Sequence, residues 1–142
     1  MEKFFTPEEE SRVVRAIKAA ELNTSGEIRI HIEHNCLDKA LVAAVDIFER
    51  LEMHRTKARN GVLIFIAPER KEFAILGDQG IDEVVPKNFW QEERDILLVH
   101  FKRGAFEEGI IKVVHQIGEK LKAHFPYQSD DINELPDEIS YG

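Results

Sequence analysis

Four oxygen-bearing side chains lie in or beside three glycine-containing segments of this chain. Glu27 follows a Ser-Gly pair, and Asn60 comes directly before a glycine. Asp78 lies inside a Gly-Asp-Gln-Gly segment, and Asp82 comes shortly after it. Carboxylate and carbonyl oxygens are the ligands of hard cations such as Ca²⁺ and Mg²⁺, whereas zinc favours nitrogen and sulfur. We therefore predict a divalent-cation site formed by Glu27, Asn60, Asp78 and Asp82.

The same residues also allow a purely structural interpretation. Glycine supplies the backbone conformations that tight turns need, and an aspartate such as Asp78 often caps a turn. The segments lack the regular ligand spacing of a helix-loop-helix calcium site. Turn geometry and cation binding are therefore both open interpretations of the glycine segments.

Motifs for covalent catalysis are absent from the sequence. It contains no Gly-x-Ser-x-Gly elbow and no Walker phosphate loop, and Cys36 lacks the following arginine of a cysteine-phosphatase loop. His31 and His34 are three residues apart on a predicted strand, so they point to opposite faces and cannot share an ion without a bend. We predict one exposed and one half-buried histidine, and we assign no catalytic residue.

The glycine segments are positioned by a predicted strand pair in the middle of a sheet. Residues 62–67 are all apolar, so they must be covered on both faces. Residues 68–71 form a plain hairpin turn into an antiparallel strand at 72–76. A strand at 27–34 and a helix at 38–53 come before this pair, which favours a right-handed crossover and a parallel neighbour. All three glycine segments then meet at one end of the sheet.

Helices are predicted on both faces of that sheet. The first begins at Thr6, which forms a capping box with Glu9 and has Pro7 at the first helical position. Two more helices are predicted at 88–102 and 106–124 from their apolar spacing. The fold class is therefore α/β, a single three-layer α/β/α domain with a central mixed sheet of about three to five strands.

Three packing details follow from the same patterns. The strand at 27–34 alternates apolar and polar residues, which predicts that one face is exposed. Gly109 and Gly118 each cost the last helix about 1 kcal/mol, and we expect close packing against the sheet to offset this. In the helix at 38–53, the predicted apolar stripe consists of Leu41, Val45, Phe48 and Leu51.

Composition favours a soluble protein of one domain. The chain has 142 residues and a formal net charge of −8, which disfavours a nucleic-acid groove. Its single cysteine excludes an intrachain disulfide, and no signal peptide or membrane-spanning run is visible. We therefore expect a cytoplasmic location without membrane insertion. Residues 1–125 are predicted to form the domain, and 126–142 an acidic tail that either projects into solvent or wraps the body.

Three stretches of the chain form a pattern in their order and spacing. They are Ser25-Gly26-Glu27-Ile28, Asn60 to Ile64 with Gly77 and Gly80, and Phe101-Lys102-Arg103-Gly104 leading to Gly109. Together they resemble the TPM-domain family over about residues 6–121. The resemblance implies a mixed sheet between helical layers and divalent-metal binding in the loops. Acid phosphatase activity is attributed to some members of the family, and others act in the assembly or repair of membrane protein complexes. Arg59 departs from the family, because many members have an acidic residue at this point.

We expect a soluble TPM-like domain that binds a divalent cation and serves as an accessory or interaction module. The alternative is a metal-dependent acid phosphatase acting on phosphate monoesters, in which Asp78 orients the ion and Arg59 steadies the phosphate. A third hypothesis is a domain that binds a protein partner through the acidic tail or through the polar face of Arg29, His31 and Glu33.

Overall fold

The computed structural model describes residues 4–127 and 137–142 of the chain. Two 3₁₀ turns, Met53–Arg55 and Pro68–Arg70, lie between its longer elements. In chain order these elements are α1 (Pro7–Glu21), β1 (Glu27–Ile32), α2 (Ala40–Arg50), β2 (Gly61–Ala67), β3 (Glu72–Gly77), α3 (Gln79–Asp82), α4 (Phe89–Lys102), α5 (Phe106–His124) and β4 (Ser140–Tyr141).

The capping box that begins α1 is confirmed. The Glu9 N–H donates to the Thr6 hydroxyl at 3.1 Å, and the Thr6 N–H donates to the Glu9 carboxylate at 2.8 Å. Pro7 occupies the first helical position, where its missing N–H costs nothing.

The described residues form one mixed sheet in the strand order β3-β2-β1-β4. β1 and β2 run parallel with Glu27 opposite Gly61, and β2 and β3 run antiparallel with Val62 opposite Gly77. β4 adds a short parallel pairing on the other side of β1. The predicted mixed sheet is confirmed, and its strand directions place the three glycine segments at the same end.

The central strand β2 contributes to two separate cores. Val62, Ile64 and Ile66 pack in the core that contains residues of α1, α4 and α5, whereas Leu63 and Phe65 pack in the core beneath α2. Every residue of β2 is buried. The three-layer arrangement, with helices on both faces of the sheet, is therefore confirmed.

The strand β1 is largely buried on both faces, so the predicted half-exposed strand is wrong. His31 is only 3% exposed, and its ring stacks on that of Phe65 with 5.7 Å between the centroids. Its Nδ1 lies 2.8 Å from the Ser140 Oγ, and its Nε2 lies 2.8 Å from the Glu33 Oε1. Contacts with β2 and β4 thus cover a side chain that alternation assigned to solvent. His34 is also buried, so the prediction of an exposed histidine is wrong.

Helix α2 turns its small residues, and not its large ones, towards the sheet. Ala40 and Ala44 are buried, whereas Leu41 and Val45 are 60% and 55% exposed. The later members of the predicted stripe are partly buried beside the same core. The stripe is therefore wrong at Leu41 and Val45, because spacing alone does not say which of two adjacent apolar stripes is buried.

The glycines within α5 pack against helices, so the predicted contact with the sheet is wrong. A Cβ atom at Gly109 would lie 2.6 Å from the Cβ of His100 in α4. A Cβ at Gly118 would lie 2.7 Å from the Cβ of Ala20 in α1. Each glycine therefore permits a close approach between two helices.

The end of the predicted acidic tail wraps the body of the domain. Ile139 is 7% exposed, and Ser140–Tyr141 forms β4. Ile132 and Leu135, which the wrapping interpretation also used, lie outside the described residues. No helix in the described part of the chain is long and apolar enough to span a membrane. The cytoplasmic location stays a prediction.

Candidate functional site

The three glycine segments meet at one end of the sheet, here named the glycine end and consisting of residues 25–27, 59–61 and 77–80. The Asp78 N–H donates to the Gly61 carbonyl at 2.9 Å, and the Gly80 N–H donates to the Arg59 carbonyl at 2.8 Å. The backbone therefore brings these segments together as the strand directions require.

The Asp78 carboxylate is paired with an arginine of the same end. Arg59 donates from Nε and Nη2 to its two oxygens at 2.6 and 2.9 Å, and the Gln79 N–H donates to its Oδ1 at 2.8 Å. The hydrogen bond to Asp78 raises the pKa of Arg59 above its ordinary value. Since both carboxylate oxygens have donors, Asp78 caps α3 and orients Arg59.

Asp82 connects α3 to α4. It is exposed, and its Oδ1 accepts a hydrogen bond from the Trp90 Nε1 at 3.0 Å.

The four predicted ligands lie in two different surroundings. Glu27 and Asn60 lie next to each other across the parallel strand pair, since the Glu27 N–H donates to the Asn60 carbonyl at 3.5 Å. Asp78 and Asp82 have hydrogen-bond donors of their own.

A cavity of about 230 Å³ opens beside the glycine end, between the last turn of α1 and the start of β1. Its lining includes three carboxyl groups, Glu21, Glu27 and Asp137, and it is named here the acidic cavity. The Ile28 N–H donates to the Glu21 carboxylate at 2.8 Å, and Glu21 also shares a hydrogen bond with Asp137. The cavity therefore joins the end of α1, the start of β1 and the segment before β4.

Burial and crowding favour the protonated form of Glu21. Burial is the main cause that raises the pKa of Glu21 to about 10, and the hydrogen bond with Asp137 adds to it. The Ile28 N–H acts in the opposite direction, and the negative charges of Asp137 and Glu27 raise the pKa further. A nearby cation would reverse this balance, because it favours the charged form of each carboxylate.

The donor set around the acidic cavity fits a hard divalent cation. The Asn60 Oδ1 and the Asp137 Oδ1 are both buried without a hydrogen-bond partner among the described residues. Asn60 is fully buried, and its Nδ2 donates to the Ser25 Oγ at 3.2 Å. Oxygen donors of this kind are those that Ca²⁺ and Mg²⁺ prefer.

The carboxyl groups are near each other but not yet in a metal-binding arrangement. Within residues 4–127 and 137–142, no three His, Cys, Asp or Glu side chains are placed to hold an ion together. Binding at the acidic cavity would therefore require rotation of side chains. At Glu21 this rotation would exchange the hydrogen bonds with the Ile28 N–H and with Asp137 for contacts with the ion.

The sequence model of the TPM-domain family matches residues 1–120 of the chain. The chain belongs to the TPM-domain family. A solved relative is the BA42 protein of the psychrophilic bacterium Bizionia argentinensis, determined by NMR. This TPM domain is 45% identical to it, with 100% of this chain and 98% of that chain covered and a TM-score of 0.91.

Two further solution structures share the fold of this TPM domain at low sequence identity. The N-terminal domain of a P. gingivalis protein has a TM-score of 0.71 at 14% identity, with 88% of this chain and 83% of that chain covered. The N-terminal domain of the cg2496 protein of Corynebacterium glutamicum has a TM-score of 0.62 at 9% identity, with 92% and 81% covered. No match was found among functionally curated proteins.

Sequence reasoning missed two carboxyl groups of this TPM domain, Glu21 and Asp137. Glu21 ends α1, where a carboxylate faces the negative end of the helix dipole, and this unfavourable position was its one available signal. Asp137 belongs to an acidic stretch in which nothing separates it from its neighbours. The departure at Arg59 was visible in the sequence, but its pairing with Asp78 was not.

Proposed function

We propose that this TPM domain is a divalent-cation-binding accessory module and that its acidic cavity holds Ca²⁺ or Mg²⁺. The main support is the crowding of Glu21, Glu27 and Asp137 in one small cavity, where the pKa of Glu21 rises to about 10. A cation there would take the place of the proton and satisfy carboxylates that otherwise repel each other.

The proposed ligand set keeps half of the residues predicted from sequence. Glu27 and Asn60 stay in it, and Glu21 and Asp137 join them. Asp78 acts instead by holding Arg59 at the glycine end, as their bidentate pair supports. Asp82 likewise acts by joining α3 to Trp90.

The accessory role follows from what the proposed ligands connect. Glu21 ends α1, Glu27 begins β1, and Asp137 comes shortly before β4. A cation bound by all three would link these separate segments of chain. Binding of the cation would then stabilise the folded domain, since ligands that bind the folded state stabilise it. It would also hold the C-terminal strand β4 against the sheet.

Titration with Ca²⁺ or Mg²⁺, followed through amide NMR shifts, tests this proposal. We expect the largest shifts at residues 21–28 and 137–139 at millimolar metal or below. Glu27→Gln should weaken binding about tenfold or more, because it removes one charged ligand from a small set. Asp82→Asn, which also replaces a carboxylate by an amide but at an exposed position, should leave the cation affinity unchanged. Equal losses in both variants, or an absence of shifts near the cavity, would show that the site is misplaced.

A metal-dependent acid phosphatase is our second proposal, supported by one observation at the glycine end. The Arg59 side chain is 41% exposed, so its guanidinium has room to contact a phosphate while it remains paired with Asp78. The assay is hydrolysis of p-nitrophenyl phosphate with Mg²⁺ at acidic pH. We expect Arg59→Gln and Asp78→Asn to lower the rate and Asp82→Asn to leave it unchanged. Equal rates in all proteins would remove Asp78 and Arg59 from any such reaction.

A further inference from the structure

A second cavity, of about 720 Å³, lies at the opposite end of the sheet, here named the hairpin end and consisting of residues 66–73. Its walls come from the carboxyl end of β2, the hairpin turn, His34 beyond β1, and the facing ends of α4 and α5. Ligands of open α/β sheets often bind outside the carboxyl ends of parallel strands. Small-molecule sites typically have volumes of about 300–1,000 Å³, so this cavity has a suitable size.

Four phenylalanine rings form a continuous apolar wall of this cavity. The ring centroid of Phe101 lies 5.3 Å from that of Phe73, 5.1 Å from that of Phe106 and 6.3 Å from that of Phe4. Leu98 extends the wall, and it is 44% exposed. An apolar molecule on this wall would remove exposed hydrocarbon from water, which is favourable in proportion to the area covered.

The charged groups of the lining leave positive charge available to a ligand. Glu69 is paired with His34, whose Nδ1 lies 2.9 Å from the Glu69 Oε1. Glu72 accepts hydrogen bonds from a backbone N–H at 2.9 Å and from a guanidinium at 3.2 Å. Lys71 and Lys102 line the same cavity, and their ammonium groups have no partner within the described part of the chain. Among the described residues, therefore, the two acids have hydrogen-bond partners and the two lysines do not.

We propose that the hairpin-end cavity binds a small amphipathic carboxylate, such as a medium-chain fatty acid or an aryl-alkanoate. Its hydrocarbon part lies on the four phenylalanine rings, and its carboxylate interacts with Lys71 and Lys102. The apolar wall supplies affinity, and the two lysines select an anion over a neutral molecule of the same shape. This binding needs no metal, and it is independent of the function proposed for the acidic cavity.

Decanoate is the first probe, and 1-decanol is its neutral counterpart of equal chain length. We expect decanoate, below its micellar concentration, to shift the amides of residues 66–73 and 98–106. Decanol should bind at least about fivefold more weakly, because it gains no charge interaction with the lysines. Equal affinities for the two probes would overturn the role of Lys71 and Lys102.

Charge reversal at the cavity mouth tests the lysines directly. Lys102→Glu and Lys71→Glu should each weaken decanoate binding by about fivefold or more and leave decanol binding unchanged. Lys87→Glu, which makes the same change in net charge at an exposed position outside the lining, is the matched control. An equal loss in Lys87→Glu would mean that decanoate responds only to the overall charge, which contradicts the proposal.

Filling the cavity tests the apolar wall. Leu98→Trp places a large side chain at the mouth and should abolish the binding of both probes. Val99→Trp is the matched control, because Val99 is 54% exposed on the same helix and is not part of the lining. If Leu98→Trp binds decanoate normally, the cavity is not the binding site.

A competing occupant would be a second copy of the chain. In that case the amides at 66–73 would shift with protein concentration in the absence of any probe, and sedimentation would show a dimer. Decanoate would then displace the second copy or fail to bind. A concentration-dependent dimer that Leu98→Trp disrupts and that decanoate does not dissociate would overturn the proposal in favour of self-association, whereas dissociation by decanoate would support it.

Discussion

The two ends of this sheet have opposite chemistry although they share the same strands. The glycine end borders a cavity of about 230 Å³ with three carboxyl groups. The hairpin end borders one of about 720 Å³ with four phenylalanine rings and two lysines that have no partner among the described residues. The apolar residues of β2 continue to both ends without change. The difference therefore comes from the helix ends and loops around the sheet, and the sheet itself does not determine which ligand an end can accept.

Helix α1 contributes to both ends. Phe4, just before the helix, lines the hairpin-end cavity, and Glu21, the last residue of the helix, lines the acidic cavity. Because α1 is shared, the effects of a substitution at one end should be separable from effects at the other end only while α1 stays folded.

The largest expected effect is the loss of stability when Gly80→Ala disrupts the backbone packing at the glycine end. A Cβ at Gly80 would overlap the backbone oxygen of Ala58, and backbone cannot rotate out of the way as a side chain can. We expect the free energy of unfolding to fall by about 2–3 kcal/mol, measured by urea denaturation. Divalent-cation affinity should fall with it, while decanoate binding to the remaining folded protein should persist.

Gly104→Ala is the control for that substitution. Gly104 has a φ of 73°, but a Cβ there would meet no atom of the described residues within 4 Å, apart from its own chain neighbours. Its cost should be about 1 kcal/mol, which comes from the backbone conformation alone. Equal losses in both variants would mean that the crowding at Gly80 is relieved at little cost.

An intermediate effect, when it is counted per pH unit, is the pH dependence of the stability of the cation-free protein. The pKa of Glu21 is about 10 in the folded state and 4.5 as its ordinary value, so the folded state binds more protons than the unfolded state between these limits. Stability should therefore fall as pH rises through this window, by up to about 1.4 kcal/mol per pH unit from this group. Glu21→Gln should flatten the slope, measured by urea denaturation from pH 5 to pH 9.

Glu93 must be separated from Glu21 in that measurement. Burial raises the pKa of Glu93 to about 7, so it contributes a slope of the same sign at lower pH. The comparison is therefore made above pH 8, where Glu93→Gln should leave the slope nearly unchanged. A slope above pH 8 that survives in Glu21→Gln would mean that another group is responsible.

The same titration should sharpen the cation proposal. If a cation displaces the proton of Glu21, its affinity should rise with pH, and binding should release close to one proton below pH 9. Calorimetry in two buffers of different ionisation enthalpy measures that number. Release that is unchanged in Glu21→Gln would place the proton on a different group.

The smallest expected effect is at the hairpin end, where Thr6→Ala removes the capping box of α1. Loss of this cap should cost about 1 kcal/mol of stability and loosen the position of Phe4. Decanoate binding should weaken slightly, while cation affinity should not change. Ser11→Ala, at an exposed position within the same helix, serves as the control and should cost less than about 0.5 kcal/mol.

Much of the fold was predictable because its main signals are local. The unbroken apolar run of β2 required cover on both faces, and Thr6 and Glu9 marked the start of α1. The buried face of α2 was not predictable in the same way. Its sequence has an alanine stripe beside a Leu-Val stripe, and hydrophobicity alone favours the larger side chains that the structure leaves exposed.

The candidate sites depended on contacts between distant parts of the chain. The glycine end was predictable, since strand direction decides which loops are neighbours. Glu21 and Asp137 were not, because their proximity depends on where the C-terminal segment docks. The hairpin-end cavity was missed for a related reason. Residues 68–71 indicate only a turn, and the rings of the cavity wall come from β3, α4, α5 and the segment before α1.

The length of α1 has a consequence for how the molecule handles charge. Its 15 residues correspond to about 22 Å, more than twice the Debye length of about 8 Å at physiological salt. The carboxyl groups near one tip of this helix and the ammonium groups of Lys71 and Lys102 near the other are thus screened from each other by the solvent. The cation and the organic anion that we propose as ligands would thus be held by one small domain at the same time, without either ligand neutralising the site of the other.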